Sequence, residues 1–257
     1  MKRHGAWVAY KTIVIREVLR FSRIWVQTVL PPSITMALYF VIFGNLIGSR
    51  IGPMQGVSYI EYIVPGVILM AVITNAYANS VSSFFGTKYH RNIEEMLISP
   101  VPNEVIVLGY VTGGVARGLA VGLAVTLVSL PFAGLHLAHP FIACAVALLT
   151  CVLFALGGLI NGIYARTFDD ISIIPTFILT PLTYLGGVFY SIDLLPRFWQ
   201  TLSLFNPILY MVNAFRYGLL GLSDVDLWRA FAVTAAFVLV LFTLAVRLLQ
   251  RGTGIKS

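Results

Sequence analysis

Charge is scarce in this chain. Asp, Glu, Lys and Arg make up only 11% of its 257 residues, and just ten of those are acidic. A soluble domain carries about 25% charged residues, so a soluble globular fold is excluded. Cysteine is nearly absent too. Cys144 and Cys151 lie seven residues apart in one predicted helix, so their Cα atoms stand roughly 10 Å apart at about 1.5 Å rise per residue. That is beyond the reach of a disulfide. Both read as small buried apolar residues without metal-ligand spacing around them. The chain also lacks a GxxxxGK[ST] phosphate loop, an HExxH pair and a GxSxG elbow. Its four histidines, His4, His90, His136 and His139, are scattered over termini and loops. No catalytic residue, metal site or cofactor of its own is expected, and the basic, amphipathic start lacks the apolar core of a secretory signal.

Apolar length is abundant. Hydrophobic residues make up 58% of the chain and the mean hydropathy is +0.89. Several runs exceed the roughly 20 residues that a spanning helix needs. The predicted fold is an all-α integral membrane protein with six transmembrane helices at residues 25–47, 59–83, 105–130, 140–165, 171–190 and 228–249. Pro31 and Pro32, Pro65, and Pro175 with Pro181 fall inside spans, where first turns or kinks accommodate them. Residues 6–24 form an amphipathic helix for the headgroup region, with Arg16, Arg20 and Arg23 on one side and Trp7, Val14, Val18 and Phe21 opposite. No internal repeat is visible, which counts against inverted-repeat transporters.

The seventeen basic residues exceed the acidic ones by seven. Their placement argues against nucleic acid, because they cluster at the ends of apolar runs. Twelve lie on the side of the N-terminus, four on the other side, and Arg117 inside a span. The positive-inside rule then puts both termini and the segment 88–104 in the cytoplasm.

Segment 88–104 is a charged elbow between two spans. Ile93, Met96 and Leu97 have helical spacing, Arg91, Glu94 and Glu95 flank them, and Pro100 and Pro102 close the segment. A helix resting on anionic lipid presents Lys or Arg. This one presents two glutamates, which favours a protein partner.

Arg117 lies near the middle of the third span. A charge there costs at least about 2.5–3.5 kcal/mol on insertion scales, so it must face protein, water or a counter-charge. A substrate path and a structural tie are equally consistent with it. Gly109, Gly113, Gly114, Gly118 and Gly122 on the same helix include three four-residue spacings of the close-packing kind. Asp169 and Asp170 precede the fifth span and read as a helix N-cap; gripping a cytoplasmic partner is the alternative. Residues 191–226 form two short amphipathic helices broken at Asn206-Pro207, with Tyr210, Phe215 and Arg216 in the second. Backbone returning at membrane depth must be covered by protein or line a cavity, so these helices should pack against the spans.

Taken together, several segments resemble the ABC-2 type transporter permeases, with the nearest likeness to the inner-membrane permeases of Gram-negative bacteria. They are Arg23-Ile-Trp-Val-Gln-Thr, Phe43-Gly-Asn-Leu-Ile-Gly-Ser-Arg-Ile-Gly, Ile73-Thr-Asn-Ala-Tyr-Ala-Asn, Arg91-Asn-Ile-Glu-Glu, Thr167-Phe-Asp-Asp-Ile-Ser, Pro181-Leu-Thr-Tyr-Leu-Gly-Gly-Val-Phe-Tyr-Ser, Asn206-Pro-Ile-Leu-Tyr and Phe215-Arg-Tyr-Gly. The resemblance covers essentially the whole chain. It implies a homodimer of six-span subunits joined to two copies of a separate ATPase, which binds the ATP and Mg. It further implies that the N-terminal helix and the elbow are docking surfaces, that the elbow is the coupling helix, and that 191–226 holds extracytoplasmic gate helices. Family substrates are polysaccharides, lipid-linked glycans, drugs and other amphiphiles, carried at the dimer interface. The rival reading is an ion- or proton-coupled transporter using Arg117 without an ATPase. The paucity of carboxylates within the spans weakens it, since proton relays need Asp, Glu or His chains.

Overall fold

The computed structural model describes residues 2–134 and 137–254. His136 and Lys256 lie outside the described residues, as does the side chain of Leu97.

Helix follows helix throughout. α1 (Lys2–Arg23) ends at Ile24, whose φ of −114° and ψ of 33° break the helix before α2 (Trp25–Tyr39). Pro31 and Pro32 remove two backbone donors from α2. The helix then widens into a π-helical stretch, Phe40–Ile47, and closes with the single turn α3 (Gly48–Ile51). α4 (Tyr59–Tyr89) begins with a reciprocal capping box: Ser58 Oγ accepts from the Glu61 backbone N–H, and the Glu61 carboxylate accepts from the Ser58 N–H at 3.0 Å. This arrangement satisfies two orphan donors at once. The remaining helices are α5 (Asn92–Ile98), α6 (Asn103–Ser129), α7 (Pro140–Tyr164), α8 (Asp170–Ile174), α9 (Thr180–Tyr184), α10 (Arg197–Leu204), α11 (Pro207–Leu220) and α12 (Leu227–Arg251). Among the described residues there is no β-strand, only one isolated antiparallel bridge, Met54 to Val57.

Among the described residues, five helices are long and apolar enough to cross a membrane: Trp25–Gly44, Tyr59–Tyr89, Asn103–Ser129, Pro140–Tyr164 and Leu227–Arg251. The segment 171–190, read from the sequence as a sixth spanning helix, departs from that expectation. Its helix stops at Tyr184 and passes through a π stretch at Pro175–Leu179. From Asp170 to Tyr184 it is about 22 Å long at 1.5 Å per residue, short of the roughly 30 Å hydrocarbon core. Pro175 and Pro181 each remove a donor, and the π stretch absorbs the register change.

α4 is the axis of the fold. At 31 residues it is about 46 Å long, so it outreaches the hydrocarbon core. It packs mainly on α7 and α6, while α11 fits between α4, α7 and α12. Lipid tails are as apolar as leucine, so close backbone approach has to hold these helices together. The glycines of α6 supply it in two rows. A Cβ at Gly114 would stand 2.5 Å from Ser80 Oγ and 2.7 Å from Ala155 Cβ, and one at Gly118 2.9 Å from Cys151 Sγ. That row meets α4 and α7. The other row, Gly109 and Gly113, meets α1: a Cβ at Gly109 would stand 2.6 Å from Ile13 Cγ2, and one at Gly113 2.5 Å from Glu17 Cβ.

α1 therefore packs by a face different from the apolar one read from the helical wheel. Trp7 is 58% exposed, while Ile13 and Glu17 are buried against α6 and α4. Tyr10 Oη shares a 2.9 Å hydrogen bond with Thr112 Oγ1. The face toward protein lies between the two sides of the wheel: Arg16 and Arg23 stay exposed, and Val14, Val18 and Phe21 are half-buried.

Candidate functional site

At one end of the bundle α4 turns into α5, and α7 turns into α8. Lys88 Nζ ties the two turns together, donating to the carbonyls of Ile163 at 2.7 Å and Ala165 at 2.6 Å, the open C-terminal end of α7. A cation at a helix C-terminus also complements the helix dipole. Arg91 takes a left-handed conformation, φ 60°, that turns the chain into α5.

In α5, Ile93 is 1% exposed and packs under the helix, and the Met96 sulfur lies 3.8 Å from Tyr110 Oη. Glu94 and Glu95 point outward in the first turn, and Pro100 is exposed. Ile98 is 86% exposed. Sequence reasoning had put Ile93, Met96 and Leu97 on one stripe; the structure turns the first two into the bundle and leaves Ile98 as the projecting apolar residue. The spacing of three between Ile93 and Met96 was the signal for the inward pair.

The neighbouring turn carries the two aspartates. Asp170 accepts from the N–H groups of Arg166 at 2.8 Å and Thr167 at 2.9 Å, and Thr167 Oγ1 accepts from the Asp170 N–H at 3.3 Å. These backbone donors hold the Asp170 carboxyl below the usual carboxylate range. Asp170 is thus committed to the turn. Asp169 is exposed, and its side chain makes no cap hydrogen bond.

Between these turns and the membrane interior runs a polar seam that the sequence reading missed. Glu17 is fully buried. Its carboxylate accepts from Ser83 Oγ at 2.5 Å and from Arg20 at 3.4 Å, with Arg16 at 3.6 Å. Arg20 also donates to the Asn79 carbonyl at 3.0 Å and to Asn79 Oδ1 at 2.8 Å. Arg16 donates to Tyr110 Oη at 2.7 Å and lies over the Tyr110 ring at 5.6 Å. Arg117 continues the seam inward, donating to Asn75 Oδ1 at 3.3 Å. The stripe Asn75, Asn79 and Ser83, spaced by four on α4, was the readable signal: a polar row inside a span must meet polar partners.

The opposite end of the bundle holds the α10–α11 region. Asn206 caps α11, accepting from the Ile208 N–H at 3.0 Å, and donates to the Leu182 carbonyl at 2.6 Å. Pro207 fills the first helical position, where no donor is needed. Tyr210 Oη donates to the Leu204 carbonyl at 2.8 Å, and Phe215 is 7% exposed in the core. Arg216 is fully buried. It donates to the carbonyls of Gly187 at 2.7 Å and Tyr62 at 3.2 Å and to Asn213 Oδ1 at 3.4 Å, and lies 4.0 Å from the centre of the Tyr62 ring. Asp224 completes the knot, accepting from Tyr62 Oη at 3.3 Å and Ser191 Oγ at 3.1 Å. α11 is almost wholly buried, whereas α10 exposes Phe198 and Trp199. Nearby, Phe189 stacks on Phe43 and Tyr184.

The two ends therefore differ in kind. One gathers cations, an outward acidic helix and an exposed isoleucine. The other is a buried hydrogen-bonded knot. Among the described residues, no group of three or more His, Cys, Asp or Glu could hold a metal.

Comparison with known proteins places these features in a family. The ABC-2 type transporter family profile matches residues 8–220. The chain is 60% identical to the inner membrane transport permease YadH of Escherichia coli K12 over 255 residues, 99% of each protein. It is 23% identical over 237 residues, 92% of each, to nodulation protein J of Rhizobium leguminosarum bv. viciae. It is 22% identical to nodulation protein J of Rhizobium meliloti over 246 residues, 95% of this chain and 93% of that one.

Proposed function

Because the chain belongs to the ABC-2 type transporter family, we propose that it is the membrane-spanning permease subunit of an ATP-driven exporter, working as a homodimer with two copies of a separate ATPase. The ATPase binds ATP and Mg; this chain supplies the path, for an amphiphilic or glycan-type substrate. It resides in the bacterial inner membrane with both termini in the cytoplasm.

The observation that carries this reading is the elbow. α5 stands beyond the ends of two long spans, is held from below by Ile93 and Met96, and presents Glu94, Glu95 and Ile98 outward. An exposed isoleucine beside two carboxylates suits a protein cleft better than an anionic lipid surface. Lys88 joins the base of the elbow to the end of α7, so a push on α5 is transmitted to α4 and α7 together. In this reading Arg91, Met96, Leu97 and Pro100 shape the elbow, Asp169 meets the partner and Asp170 braces the turn beside it. The helix α1 serves as the second docking surface.

Six crossings complete the topology. The chain leaves α7 at the Lys88 end and reaches Gly187 beside Tyr62 and Arg216 at the other end. The short helical stretch from Asp170 to Tyr184 makes the intervening crossing, its apolar residues covered by a second copy. α10 and α11 form the extracytoplasmic gate region, pinned by Arg216. Arg117, held to Asn75 and half shielded, lines the inner part of the path.

Replacing Glu94 and Glu95 with lysine tests the proposal. The variant is expected to lose the co-purified ATPase or its substrate-stimulated hydrolysis. Full assembly and activity would refute the role of the elbow, and transport in vesicles free of any ATPase would refute the exporter reading in favour of ion coupling.

A further inference from the structure

Between α1 and the far end of α4 lies a cleft of about 580 Å³, within the usual range of small-ligand sites. Three arginines line it, Arg16, Arg20 and Arg23, against a single carboxylate, Glu17. Glu17 is fully buried and already engaged by Ser83, Arg16 and Arg20. Two positive charges are therefore left without compensation. Arg23, exposed in the last turn of α1, has no hydrogen-bond or ion-pair partner among the described residues. Buried behind the cleft, Arg20 Nε and Asn79 Nδ2 are donors without acceptors among the described residues. The lining thus carries more cations than anions, which complements a phosphate group.

The rim has a different chemistry. Leu19 and Ile24 line the cleft and are 48% and 44% exposed, and Trp25, 61% exposed, follows at the start of the first span. Apolar residues over a cationic floor, at the depth where a spanning helix begins, match a molecule with a phosphate head and acyl tails. Basic pockets among membrane helices on the cytoplasmic side take anionic lipid headgroups by this means.

We propose that this cleft binds the phosphate headgroup of an anionic membrane phospholipid, with its acyl chains lying over Leu19 and Ile24. Such a lipid would fasten α1 to α4 at the seam where Glu17 meets Ser83. His90 and Asn92 of the elbow border the cleft, but lipid retention is read on this chain alone, without the ATPase.

The test uses the full chain in mixed bilayer nanodiscs of phosphatidylglycerol and phosphatidylcholine, followed by native mass spectrometry of the lipid retained after detergent extraction. Wild type is expected to retain phosphatidylglycerol over phosphatidylcholine by about tenfold. Arg23→Glu, a change at an exposed position, should abolish most of that preference, while Arg247→Gln, a basic residue outside the cleft, should leave it intact. Millimolar inorganic phosphate should not displace the lipid. Equal retention of the two lipids by wild type would overturn the proposal without recourse to any variant. So would an undiminished preference in a folded Arg23→Glu protein, or a loss as large in Arg247→Gln. Displacement by inorganic phosphate would show a free-anion site instead.

Discussion

Glu17 on α1 accepts a 2.5 Å hydrogen bond from Ser83 on α4, and its carboxylate is wholly shielded from solvent. A carboxylate at such a position is tolerated only because Arg16 and Arg20 face it. Glu17→Ala is expected to loosen α1 from the bundle, with a loss of about 2 kcal/mol given that both arginines remain partly solvated. Glu17→Gln, which keeps an acceptor for Ser83, should lose less. Thermal unfolding in detergent, with proteolysis within α1 as a local readout, distinguishes the two; equal stability of Glu17→Ala and wild type would remove Glu17 from the account.

Packing along α6 makes a sharper forecast. Gly114→Val should cost at least about 1–3 kcal/mol, because Ser80 and Ala155 occupy the space its side chain needs. Gly86→Ala on α4 meets nothing within 4 Å, so it should be neutral or stabilise by up to about 1 kcal/mol through helix propensity. The melting temperature of Gly114→Val should fall, while that of Gly86→Ala should stay level or rise.

Arg216 holds two carbonyls and one amide oxygen in the knot that joins α11 to the start of α4 and to Gly187. Arg216→Lys keeps the charge and loses the planar fork. Both Arg216→Lys and Arg216→Ala are therefore expected to lower the yield of folded protein, with losses of about 3 kcal/mol or more for alanine. A lysine variant as stable as wild type would show that the fork geometry is dispensable.

The turn at Thr167–Asp170 should respond to acid. Its carboxyl titrates below its unfolded value, so its contribution is complete above about pH 4 and lost as pH falls through the lower folded value. Hydrogen exchange at the Arg166 and Thr167 amides, corrected for intrinsic rate, should show protection near neutral pH and loss under strong acid. In Asp170→Ala protection should be low throughout. Protection that persists unchanged in Asp170→Ala would contradict the assigned bonds.

Much of the helical, membrane-embedded class was legible from the sequence, because scarcity of charge and long apolar runs leave few alternatives. The face by which α1 packs was not. A helical wheel assigns arginines to the wet side, which holds for a helix on a soluble core. Here the buried face falls between the two sides of the wheel: Ile13 and Glu17 turn into the bundle, Arg20 reaches Asn79, and Arg16 and Arg23 stay exposed. The break in the segment 171–190 was not legible for another reason: hydropathy counts apolar residues and is blind to the π stretch at Pro175–Leu179 and to the end of the helix at Tyr184. Arg216 belongs to the segment 191–226 read as gate helices, but two of its three acceptors are backbone carbonyls, which no side-chain pattern discloses.

The central claim is that α5 is gripped by a separate ATPase, and site-directed cross-linking tests it most directly. Cysteine is placed at Ile98 in a Cys144→Ser background, with Cys151 left buried and unreactive. The full chain is then extracted from its native membranes together with the ABC ATPases they hold. The account predicts a cross-link from position 98 to the ATPase, lost when Glu94 and Glu95 are lysine. A transport-competent protein whose position 98 never meets an ATPase would contradict it.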